Sequence, residues 1–108
     1  MKKGSIILIP FPFTDLTGSK IRPAVVLNKI ELDVTICFIT SELRWKTKYD
    51  ISILPSEDNG LKVPSLIRVS KIATIDSGLV LGELGKLSNI EITSLNKNLI
   101  KSCKINNV

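Results

Sequence analysis

The chain has 108 residues, 44% of them apolar, and a formal net charge of +5. That is one domain's worth of chain, with enough apolar residues for a core and little room for a second one. It has no histidine and only two cysteines, which removes the commonest general acid–base and metal-binding side chain and leaves no zinc pattern, while the positive balance favours an anionic partner such as nucleic acid.

Met1-Lys2-Lys3-Gly4 and the apolar run behind it loosely imitate a signal peptide. Pro10 and Pro12 break the run and no small-residue cleavage site follows, so none is expected. No apolar stretch is long enough to cross a membrane. Cys37 lies in an apolar run and Cys103 in a predicted helix, and both are expected to be buried thiols of a reducing cytosol. The expectation is a cytoplasmic protein with no membrane partner.

Ser5 to Ile9 suits a strand, which Pro10 and Pro12 are expected to end. Phe11-Pro12-Phe13-Thr14-Asp15 is a proline-stiffened loop whose rings either plug the core or leave one exposed as a stacking platform. In Thr17-Gly18-Ser19-Lys20-Ile21-Arg22-Pro23-Ala24-Val25-Val26-Leu27 a polar loop ending in two cations becomes an apolar strand. Pro23 suits the first residue of that strand and biases Arg22 toward an extended backbone. A guanidinium on a rigid strand mouth can grip a phosphate; the alternative, which spacing alone favours, is a solvated arginine at a strand start.

Val34 to Thr40 is a β-branched strand. Ile36, Phe38 and Thr40 share one face and Thr35, Cys37 and Ile39 the other, so with both faces mostly apolar it is expected to be central. Thr40-Ser41 closes it with two hydroxyls, and Glu42 to Tyr49 follows with three cations and two aromatics. Such interleaving suits single-stranded nucleic acid, or else a solvated loop with Trp45 folded onto the barrel.

Asp50 to Leu54 and Ser65 to Val69 read as strands either side of a turn at Asp58-Asn59-Gly60. Lys71 to Asp76 is too short to assign. Gly78, Gly82 and Gly85 suggest a bent edge strand. Ser88-Asn89-Ile90-Glu91 is a capping box, and Ile92, Leu95, Leu99 and Cys103 then recur at helical spacing. Five to seven short strands followed by one helix imply a single α+β, mainly β domain over 1–108: a small antiparallel barrel with a C-terminal α-helix.

In this order, Ile7 to Phe13, Thr17 to Lys20, Arg22-Pro23-Ala24-Val25-Val26-Leu27, Ile39-Thr40-Ser41, Ser65-Leu66-Ile67-Arg68 with Thr74-Ile75-Asp76, and Gly85-Lys86-Leu87-Ser88 resemble the MazF/PemK toxins over nearly the whole chain. The resemblance implies an SH3-like barrel that forms a homodimer, cuts single-stranded RNA (usually mRNA) and is silenced by a cognate antitoxin protein. The resemblance places Arg22 and Thr40 in the catalytic site, and Arg68 as a contributor in part of the family. From the chemistry of the residues themselves, Ser19 and Lys20 suit flanking phosphates, and Ser41, Trp45 and Arg68 are expected as further RNA contacts. The acidic residues are scattered, with no closely spaced set beside Arg22 and Thr40, so cleavage is expected to need no metal, and no cofactor is expected. Ser70 stands where many members carry an acidic residue. Two rival classes are a non-catalytic nucleic-acid-binding barrel and a toxin of the same barrel type that poisons a topoisomerase.

Overall fold

The computed structural model describes residues 1–11 and 20–105. Six strands come in succession: β1 (Ser5–Phe11), β2 (Lys20–Ile30), β3 (Asp33–Thr40), β4 (Ile51–Ile53), β5 (Ser65–Asp76) and β6 (Gly82–Lys86). They pair antiparallel in the order β4-β5-β3-β2-β1-β6, and the helix α1 (Asn89–Ser102) follows. Register breaks in the β1–β6, β2–β3 and β3–β5 pairs curl the sheet into a half-open barrel. This is the mainly β fold with a C-terminal helix expected from the sequence.

The period of two divides the apolar residues between two cores. Ile6, Val25, Cys37, Ile39, Ile67 and Val69 point into one, and Ile7, Ile9, Ala24, Val26, Val34 and Ile36 into the other. β3 is central, as its two apolar faces require. α1 covers the first core. Its capping box is formed in full: Ser88 Oγ accepts the Glu91 N–H and Glu91 Oε1 accepts the Ser88 N–H. Leu95 is fully buried, with Ile92 and Leu99 packed beside it.

Three expectations are corrected. Cys103 is exposed, because the helix ends at Ser102 and Cys103 is only its cap. Cys37 is buried as expected, and burial first, then the nearby Cys103 and Asp50, pushes its thiol up to about 12. Neither proline bounds a strand: β1 runs through Pro10 to Phe11, and Pro23 lies inside β2. The reason is positional. β6 leaves β1 after Leu8, and β3 pairs with β2 only from Ala24 onward. Pro10 and Pro23 therefore sit where each strand has a ladder partner on one side, and a missing donor is tolerated there. The fourth difference fills a gap in the reading: Lys71–Asp76 is the second half of β5, continuous with Ser65–Val69.

Candidate active site

The site lies where β2 and β3 part. Ala24 pairs with Phe38 and Val25 with Cys37; carried two residues further, the same register sets Arg22 opposite Thr40. Among the described residues the β2–β3 ladder stops just before them, so the two face each other across an open β2–β3 mouth, while Thr40 stays paired with Leu66 of β5. Beyond Ala24, β1 is the only described strand that pairs with β2, with Arg22 in register with Ile9.

A cleft of about 510 Å³ opens at this mouth, lined by Phe11, Arg22, Phe38, Ile39, Thr40, Ser41, Glu42, Trp45, Arg68 and Lys71. Its floor includes the Phe11 and Phe38 rings, packed edge to face at 5.1 Å. A second cleft of about 330 Å³ shares Arg22, Ile39 and Ser41 with the first; aliphatic side chains (Leu8, Leu61, Val63, Leu84) and Pro23 line most of the rest, with Lys62 and Ser65 beside them. Arg22 thus stands on the divide between an aromatic cleft and an aliphatic one.

Each sequence-predicted residue can now be placed. Arg22 is exposed, and among the described residues no carboxylate pairs with it. Thr40 is half-buried, and its Oγ1 accepts the Glu42 N–H at 3.1 Å, which fixes the oxygen and leaves the hydroxyl proton to donate. Ser41 lines both clefts. Trp45 is 54% exposed on the cleft wall, with Arg68 Cζ 6.0 Å from its ring centroid. Arg68 lines the same cleft and is paired to Asp50. Lys20 is exposed at the start of β2, on the same strand face as Arg22 but outside the cleft lining. Ser19 lies outside the described residues.

The sequence did not reveal Glu42, Phe38 or Lys71 as cleft residues. Lys71 arrives there through a bulge: Cys37 pairs with Ile72 but Phe38 with Arg68, leaving residues 69–71 unpaired to β3. Among the described residues Glu42 is the sole carboxylate in the lining, and its Oε2 is held by Arg44 at 2.8 Å in an exposed pair. The carboxylate beside Arg68 comes from Asp50, not from the position of Ser70, which is exposed. Among the described residues no three His, Cys, Asp or Glu side chains converge as metal ligands would, and no helix is long and apolar enough to cross a membrane.

Fold and cleft together define a small half-open β-barrel with a cation-lined mouth. The sequence matches the PemK-like, MazF-like toxins of type II toxin–antitoxin systems over residues 2–103, and the chain belongs to that family. Solved structures repeat the fold at low identity. A mycobacterial endoribonuclease in complex with its cognate antitoxin is 14% identical, covering 100% of this chain and 99% of its own at a TM-score of 0.76. Mycobacterium tuberculosis toxin MazF-mt6 is 19% identical, covering 94% and 98% at 0.77. The MazE–MazF complex of Deinococcus radiodurans is 15% identical, covering 98% and 97% at 0.77. No curated protein matches the sequence.

Proposed function

We propose that this toxin is a sequence-specific endoribonuclease that cuts single-stranded RNA, mRNA among it, by attack of the RNA's own 2′-hydroxyl. The observation that carries the reading is the juxtaposition of Arg22 and Thr40 across an open strand mouth, at the edge of a cleft with aromatic walls. An internal nucleophile has to be aligned with phosphorus, and the charge on the phosphoryl oxygens has to be met by fixed donors. Arg22, with no carboxylate partner among the described residues, offers a fork of donors to those oxygens. Thr40, its oxygen held by the Glu42 N–H, donates its proton to the same phosphate or to the 2′-hydroxyl. Among the described residues of the lining, Glu42 carries the carboxylate that would take the 2′-hydroxyl proton. The 2′-oxygen bonds to phosphorus, the bond to the 5′-oxygen breaks, that oxygen takes a proton from water while Glu42 returns its own to solvent, and a 2′,3′-cyclic phosphate and a 5′-hydroxyl result. No protein nucleophile and no metal ion is needed to generate the attacking group.

The walls suit the rest of the strand. Trp45 and Phe11 offer ring faces for bases, and Lys20, Ser41, Lys71 and Arg68 line or flank the path of the phosphates; Ser19, next in sequence to Lys20, completes the set. The partners on this reading are RNA, a cognate antitoxin whose acidic segment covers the cations and Trp45, and a second copy of the chain, with the cytoplasm as the place of work. The test is incubation of the purified protein with a long RNA. Discrete fragments ending at a shared short sequence are expected. Binding without cleavage would leave a non-catalytic barrel, and neither binding nor cleavage would overturn the reading.

A further inference from the structure

Arg68 reaches the cleft from β5, yet the anion beside it stands outside the cleft. Asp50, immediately before β4, has a side chain with 0% exposure, and its Oδ2 lies 3.1 Å from Arg68 Nε. The same oxygen accepts the Thr47 N–H at 3.0 Å, so the turn fixes the carboxylate. Its Oδ1 is buried without a hydrogen-bond partner. The Arg68 N–H is not aimed along the 3.1 Å line, so the contact is an ion pair and not a hydrogen bond. Five residues earlier in the chain, Trp45 lays its ring over the same guanidinium.

A buried carboxylate with an unmet oxygen is a poor way to stabilise a fold; an apolar residue of similar size would often serve better. What it does give is an arginine of restricted freedom. With Nε beside Asp50 and the guanidinium under Trp45, the donors on the two terminal nitrogens remain for a ligand in the cleft. Among the described residues nothing pairs with those nitrogens.

We propose that Asp50 is a positioning residue: it holds Arg68 against Trp45 so that Arg68 serves as a second phosphate clamp across the cleft from Arg22. This rests on the cleft taking RNA, and the experiment is chosen to separate the two claims. Trp45 is the sole tryptophan of the chain, so its fluorescence reports on Arg68 with no other emitter of that kind. Asp50→Asn, Arg68→Ala and the double variant are compared by cleavage of a short RNA containing the target sequence and by acrylamide quenching of Trp45.

Asp50→Asn is expected to lower kcat/KM about 10- to 100-fold, the range that misplacement of a group by about 1 Å produces. Quenching of Trp45 should rise to the level seen in Arg68→Ala. The double variant should cut no more slowly than Arg68→Ala alone, because Asp50 acts only through Arg68. Equal losses from Asp50→Asn in the presence and absence of Arg68 would overturn the proposal, as would parental cleavage with unchanged quenching. If the parent cuts no RNA, the functional reading falls while the Trp45 readout still decides whether Asp50 holds Arg68. Should Asp50→Asn not fold, nitrogen-15 spectra of the parent's arginine side chains answer the same question. A 2′-methoxy RNA should move the terminal nitrogens of Arg68 and leave its Nε in place; an unmoved Arg68 would overturn the assignment.

Discussion

Arg22→Ala is expected to lower RNA cleavage by at least about 10²–10³-fold, the cost of removing one preorganised donor from a developing oxyanion. It should leave the fold intact. Arg22 is exposed and no described carboxylate pairs with it, so its truncation opens no cavity and strands no buried charge. Thermal unfolding should stay within about 0.5 kcal/mol of the parent, as for surface substitutions generally. Arg22→Lys keeps the charge but loses the planar fork, and should fall between parent and alanine. Thr40→Val removes a single hydroxyl of similar bulk, and a loss of about tenfold to a hundredfold is expected, in line with one hydrogen bond to a charged group. Parental cleavage by Arg22→Ala, measured at saturating and at low RNA, would remove the arginine from the chemistry.

Gly85→Ala is expected to be the most damaging small substitution in stability. A Cβ at residue 85 would land on the Asp58 carbonyl oxygen and against the Asn59 backbone. That carbonyl already accepts the Lys86 N–H at 2.8 Å, so neither backbone can retreat without breaking the contact. The turn has no slack of its own. Asn59 is buried, its Oδ1 accepts the Ser56 and Leu61 N–H groups, and its amide donates to the Leu54 carbonyl. Gly60, at φ +69°, has no spare room either: a Cβ added there would land on the Leu84 carbonyl. Overpacking of this kind costs about 3 kcal/mol, a fall in Tm of roughly 15 °C for a domain of this size. Gly82→Ala is the control: nothing lies within 4 Å of its added Cβ, and its Tm should stay within a few degrees of the parent. Similar Tm values for the two variants in calorimetry would contradict the close approach of β6 to the 58–59 turn.

The contrast between those two glycines shows where the sequence was readable. Short-range patterns carried through: the Ser88–Glu91 capping box and the two-faced strand around Cys37 are set by residues within a few positions of each other. Gly85 read only as a bend in an edge strand. Its need for an absent side chain comes from Asp58 and Asn59, which no local pattern links to it. The site divides along the same line. Arg22 and Thr40 each end a recognisable apolar run, so each was visible alone, although their pairing depends on register. Lys71 was invisible because a bulge carries it into the cleft. Asp50 was invisible because its partner lies in the next strand, across the 54–64 loop. The prolines misled because a strand with one ladder partner accepts what a central strand refuses. Cys103 misled because helical spacing continues on paper past the residue where the helix stops.

The most direct test of 2′-hydroxyl attack uses two synthetic RNAs that differ by one oxygen. Both contain the sequence at which a long RNA is cut; one carries a 2′-deoxy sugar at the scissile nucleotide only. If Arg22 and Thr40 align an internal nucleophile, the all-ribose strand is cut to a 2′,3′-cyclic phosphate and a 5′-hydroxyl, in EDTA as readily as in magnesium. The deoxy strand then binds and remains whole. Cleavage of the deoxy strand, or activity lost in EDTA and restored by magnesium, would contradict the mechanism.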